Sequence, residues 1–241
     1  MKPLFLLLSV GILAAACQKK EVEPVGAEDP DWIKLEVPSE LSGDEAHAIV
    51  GDIDRTLLVS TYTHVYATSD RGKTWQKSPN FYGPMRGLVL RNDTIFALMV
   101  SGLNSLGEGI VSYADRYTPD YGQTWASTAG VYPYNEYRTM SQVIGRVEAA
   151  SITYRTQENT RPIPNSTARR VLASSLLRID GSRQTLLRLP IGHYLNGLHL
   201  DAQNRLYVAA SGLRFDTSTG EAINPTVGRP GVVYISRRPL P

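Results

Sequence analysis

Few side chains in this sequence are placed to do chemistry. The only thiol is Cys17, directly behind the apolar run Leu4 to Ala16. A lone cysteine forms no internal disulfide and no cysteine-rich zinc site. The four histidines, His47, His64, His193 and His199, fall at no metal-ligand spacing, and His193 and His199, six apart, read as satisfied structural residues. Glu136, Glu148 and Glu158 could pair for general acid–base work, but no Ser/His/Asp order and no phosphate-cradling glycine loop accompanies them. The strongest spacing signal is a repeat, Thr68-Ser-Asp70-Arg-Gly72-Lys-Thr74-Trp75 and Thr118-Pro-Asp120-Tyr-Gly122-Gln-Thr124-Trp125, both of the form [ST]-x-D-x-G-x-T-W. Its chemistry is hydrogen bonding within a turn: the carboxylate accepts backbone N–H groups, the glycine permits positive φ, and the tryptophan buries a ring beneath a hairpin.

The chain that must position these groups has 241 residues, 42% hydrophobic and 20% charged, with 25 Lys plus Arg against 23 Asp plus Glu. A formal charge of +2 gives no single-sign field, so nucleic acid is excluded as an expected partner. The 20 glycines, 15 prolines and 13 tyrosines suit turns and pleated strands better than helices. No metal and no cofactor is expected.

The N-terminus reads as an export signal, with Lys2 ahead of an apolar run of 13 residues, too short for a bilayer core that needs roughly 20. Leu13-Ala-Ala-Ala-Cys17 resembles the lipobox of bacterial lipoproteins, with the leucine one position farther from the cysteine than is usual there. That resemblance implies cleavage of residues 1–16 and acylation of Cys17, making it the anchor of a cell-envelope lipoprotein. Several acyl chains on one residue hold far more firmly than one. The alternative is a soluble secreted protein in which Cys17 merely neighbours the cleavage site. Residues 17–30 are charged, proline-containing and without apolar periodicity, which predicts a flexible tether. The absence of aspartate after Cys17 resembles lipoproteins sorted to the outer membrane, on its periplasmic side or at the cell surface. The Lys/Glu mix resembles Bacteroidetes export tethers.

The paired turns resemble the Asp-box, or BNR, repeats of sialidases and other β-propeller proteins. Four copies of one strand pattern accompany them across 31–241. First strands begin at His47, Arg86, Gln142 and Asn196, second strands at Thr56, Thr94, Arg146 and Arg205, and third strands at Val65, Ile110, Leu172 and Val232. Fourth strands follow at Gln76-Lys77, Ala126-Ser127 and Leu186 to Leu189, while Asp31 to Val37 alternates and can supply the outer strand that unit four lacks. The expected fold is therefore all-β, a four-bladed propeller closed by an N-terminal outer strand, with five blades as the alternative.

In such a ring the Asp boxes sit at the periphery, away from the usual ligand face, so their ten motif residues read as structural. The opposite face carries connections that lengthen along the chain, from near Thr63, through 101–109 and 155–170, to 212–231. Phe81, Tyr82, Tyr132, Tyr134, Tyr137, His193 and Tyr194, with Arg138 and Arg161, are the candidate surface for stacking on a glycan or gripping a protein. The alternative is that these rings pack under loops. A non-catalytic binding or scaffold module is the expected function. A sialidase-like hydrolase, needing an arginine cluster and a Tyr–Glu pair, and an assembly factor for an envelope complex are the alternatives.

Overall fold

The structure is a computed structural model that describes residues 28–38, 45–216, 218–224 and 228–240. Cys17, the signal sequence and most of the tether lie outside the described residues. Strand β1 (Trp32–Glu36) is the first element. Blade 1 follows as β2 (Ile49–Gly51), β3 (Leu57–Ser60), β4 (Val65–Thr68) and β5 (Gln76–Lys77), paired in that order from the axis outward. Blade 2 comprises β6 (Gly87–Arg91), β7 (Thr94–Leu103), β8 (Gly109–Thr118) and the outer β9 (Ala126–Ser127). β10 (Ser141–Val143) also pairs with β8 and reaches the axis, with helix α1 (Tyr134–Thr139) between β9 and β10 in sequence.

Blade 3 is β11 (Arg146–Ala149), β12 (Ile152–Pro162), β13 (Arg169–Asp180) and β14 (Arg183–Leu187). Blade 4 is β15 (Leu195–Leu200), β16 (Leu206–Ala210) and β19 (Val232–Ser236), and the small hairpin β17 (Arg214–Phe215)–β18 (Ala222–Ile223) lies in the β16–β19 connection. β1 completes blade 4 from outside, antiparallel to β19 from Trp32↔Ser236 to Glu36↔Val232. The ring of four, closed by an N-terminal outer strand, is the architecture the strand pattern predicts.

The third unit departs from that pattern by one strand. Arg146–Ala149 is the inner strand of blade 3, not its second, and Ser141–Val143, expected as that inner strand, pairs with Val111 and its neighbours in blade 2. The second strand is β12, most of which lies in the segment expected as a loop. It pairs with β13 along its whole length, with a bulge at Gln157/Asn159. Likewise the 101–109 connection is largely the top of the β7–β8 hairpin, closed by a turn at 104–108.

Three hydrophobic cores join neighbouring blades. Tyr207, Val233 and Leu35 of blade 4 pack on Leu57 and Tyr66 of blade 1. Leu58 and Ala67 of blade 1 pack against Leu88 and Ile95 of blade 2. Tyr154 and Leu176 of blade 3 meet Leu206, Val208 and Tyr234 of blade 4. Middle strands are sandwiched on both sides, which is why β3 and β16 are buried throughout and, Ser60 aside, hydrophobic.

The seam between blades 2 and 3 is different. The fourth cluster, Phe96, Leu98, Val111, Ala114, Tyr137 and Met140, draws on blade 2 and the α1 segment, with no blade 3 residue among its described members. A polar contact bridges the seam instead. Arg146 Nη1 of blade 3 donates to Glu108 Oε1 of blade 2 at 2.6 Å.

Because strands run from the axis outward in chain order, the 1–2 and 3–4 turns of every blade share one face, here the turn face. The 2–3 and interblade connections share the other, the loop face.

Candidate functional site

The two aspartate turns have the same geometry. In the second, Thr118 Oγ1 donates to Asp120 Oδ1 at 2.7 Å and accepts Gly122 N–H at 2.8 Å, while Thr124 donates its N–H to Oδ1 at 2.8 Å and its hydroxyl to Oδ2 at 2.6 Å. In the first, Asp70 takes the corresponding bonds from Thr68 and Thr74 at 2.6–2.9 Å. The Thr74 and Thr124 hydroxyls, with their backbone N–H groups, hold the Asp70 and Asp120 carboxyls down at about 2. Arg71 and Gly72, like Tyr121 and Gly122, are in the left-handed region, with φ from 55° to 93°.

Each turn also presses on the preceding blade. A Cβ on Gly72 would meet the Leu35 side chain at 2.9 Å, and one on Gly122 would meet Ala67 and Leu58 at 3.2 and 3.3 Å. Trp75 packs against the core between blades 4 and 1, and Trp125 against that between blades 1 and 2. Trp125 Nε1 is the buried side-chain polar atom without a partner among the described residues. With both carboxylates fully engaged, these turns lock blades together.

The structure does not gather the rings expected on the ligand face into one surface. Phe81 is buried, edge-on to Trp125 at 5.2 Å. Tyr132 packs between Phe96 and Tyr117, and buried Tyr137 lies edge-on to Tyr113. Tyr134 is exposed over Tyr137, with the Arg138 guanidinium 5.3 Å above its ring. These five tyrosines and α1 cover the face of blade 2 that blade 3 leaves uncovered. Tyr82 stands exposed on the loop face. Arg161 is ion-paired with Glu221, which Arg170 also holds, so its charge is spent between the β12–β13 hairpin and the β17–β18 flap.

His193 is a core residue. Its Nδ1–H donates to Leu213 O at 2.9 Å, and its Nε2 accepts the Tyr234 hydroxyl at 3.0 Å, which fixes a neutral tautomer. Burial holds it down at about 4.

At the centre of the loop face, the Tyr194 hydroxyl donates to Glu158 Oε2 at 3.2 Å, and Asn196 Nδ2 donates to Glu45 Oε2 at 3.0 Å. Burial pushes the Tyr194 hydroxyl up, and the Glu158 charge adds to it. Arg86 is the guanidinium whose charge reaches Tyr194. Arg138 and Arg161 are engaged elsewhere, so the three arginines do not converge.

On the turn face, the axis of the ring opens as a cavity of about 800 Å³. It is bounded by the inner strands of blades 1, 2 and 4 and by β10, while the loop-face end of the axis keeps only about 10 Å³. Gln142 of β10 lines both ends and plugs the passage, its Oε1 accepting Leu88 N–H at 3.2 Å. Beside the mouth, Arg205 reaches Asp52, Asp54 and Asp201, each at 2.6 Å. Asp201 also accepts the Tyr207 hydroxyl at 2.9 Å. Sequence spacing missed this cluster, because Arg205 and Asp52 are 153 positions apart. A second cavity of about 700 Å³ lies between blade 3 and the flap, lined by Leu176, Leu187, Ile191 and Asp216.

Fold and sites together define a four-bladed β-propeller with a blind axial pocket. No protein-family model matches the chain, and no curated protein does. Among solved structures, YjhT aligns at 15% identity over 81% of this chain and 69% of that one, with a TM-score of 0.31.

Proposed function

We propose that this chain is an Asp-box propeller lipoprotein of the cell envelope, anchored through Cys17, that binds a protein partner through its loop face. One observation carries the reading: exposed apolar side chains concentrate on that face. Leu103 and Leu106 at the tip of the β7–β8 hairpin are 73% and 79% exposed, and Tyr62, Tyr82, Val171 and Ile223 stand out from neighbouring connections. Exposed apolar groups raised on hairpins suit a macromolecular contact. The described chain joins β1 from the turn face, the end opposite the loop face, where Arg237 holds Glu28 and the Asp29 carbonyl.

Tyr194–Glu158 favours a hydrolase as the second reading. Against it, the phenol is shifted toward its protonated form, and Arg138 and Arg161 do not join Arg86 beside it.

The test is site-specific photocrosslinking in envelope preparations from position 106, with position 186 on the β14 strand as control. A discrete adduct from 106 that disappears in Leu103→Glu is expected. Adducts of equal yield from both positions, or none, would count against the loop face, and cleavage of a fluorogenic sialoside that Tyr194→Phe abolishes would favour the hydrolase.

A further inference from the structure

The axial cavity on the turn face is separate from the surface proposed above and is built like a ligand site. Its volume of about 800 Å³ falls within the range of small-molecule pockets. Leu90 and Leu200 give the cavity an apolar side, with Val50 and Leu88 buried in the core behind it, and the Tyr121 ring stands at the rim. Leu90 and Tyr121 are 47% and 40% exposed.

The polar groups are of both kinds. Gln142 spends its Oε1 on Leu88 N–H, which leaves its amide N–H groups to donate. His199 donates Nε2–H to Gly51 O at 2.9 Å, so its neutral ring offers Nδ1 as an acceptor. Gln203 at the mouth can do either. Charge is balanced: the carboxylates of Asp52, Asp54 and Asp201 face the guanidiniums of Arg205, of Arg71, which pairs with Asp54, and of Arg55 on the rim. An ionic ligand of either sign would meet its own sign there.

We infer that this blind axial pocket binds a neutral saccharide of roughly one to three rings. A sugar ring presents an apolar C–H face, which the Tyr121 ring and the leucines match, and an edge of hydroxyls that both donate and accept, which Gln142, Gln203 and His199 match. Entry is from the turn face, because Gln142 closes the other end.

The full-length chain is titrated with glucose, galactose, N-acetylglucosamine and their β-linked disaccharides, with dodecanoate and spermine as charged comparisons, by saturation-transfer NMR and calorimetry. At least one neutral sugar is expected to bind, with Tyr121→Asn and Gln203→Ala each weakening it up to about tenfold at an unchanged melting midpoint. Asparagine tolerates the left-handed backbone of position 121, and exposed Gln203 keeps the test open should that variant melt early. Absence of binding by every sugar, binding unaltered by both variants, or occupation of the pocket by dodecanoate or spermine instead would each overturn the inference.

Discussion

The guanidinium of Arg205 in blade 4 lies 2.6 Å from the carboxylate of Asp52 in blade 1, joining the last blade of the ring to the first. The Arg205 side chain is 12% exposed and that of Asp201, its partner within blade 4, is fully buried. Removing the cation strands two carboxylates in a poorly solvated site. Arg205→Met is expected to cost about 3 kcal/mol in urea denaturation, the low end for a broken buried pair because Asp54 is half exposed. A change within about 0.5 kcal/mol, as for an ordinary surface site, would show that the pair does not hold the ring.

Glycine at two turn-face positions serves two different needs. Gly181 has φ +56° with open space around it, so Gly181→Ala should cost only the backbone term, about 1 kcal/mol. Gly122 combines φ +93° with the Ala67 and Leu58 side chains of blade 1, and Gly122→Ala should cost about 3 kcal/mol. Equal losses in thermal melts would deny the interblade contact.

His193 makes stability depend on pH with a definite sign. Its folded value, about 4, lies below the ordinary 6.5, so the unfolded chain binds the proton more readily between those values. Stability is complete above pH 6.5 and falls as pH drops toward 4. His193→Gln should flatten that part of the curve measured by denaturation midpoint against pH. Below pH 4 the falling stability passes to Asp70 and Asp120, whose values near 2 keep them ionised in the fold after they would protonate in the unfolded chain.

Cys17→Ser removes the proposed acyl acceptor. Detergent partitioning and membrane fractionation should move the protein from the membrane to the soluble fraction, and retention in the membrane would end the lipoprotein reading.

The ring was legible because its strands repeat a local pattern. Asp31 to Val37 alternates in sequence and becomes β1, Trp32–Glu36, in the expected closing position. Both aspartate turns are local, spanning eight residues each, so sequence alone specifies them. The second strand of blade 3 is not legible: outside the blade 4 core, β12 carries polar side chains on both surfaces, and a strand without a buried face shows no alternation. The rings of Phe81, Tyr132 and Tyr137 lie in connections whose sequence does not tell a cover from a contact surface. The axial pocket depends on β10 leaving blade 3 for blade 2, a tertiary choice with no local signature.

β1 closes the ring and is also the first described strand after the N-terminal segment, which gives the ladder from Trp32↔Ser236 to Glu36↔Val232 a mechanical role. Tension drawn along the N-terminus loads these five pairs in shear, all at once, before it reaches any other blade. A hard enough pull would free the outermost strand of blade 4, uncover Leu35 and the Trp75 side of the first core, and convert a closed ring into one with an open edge.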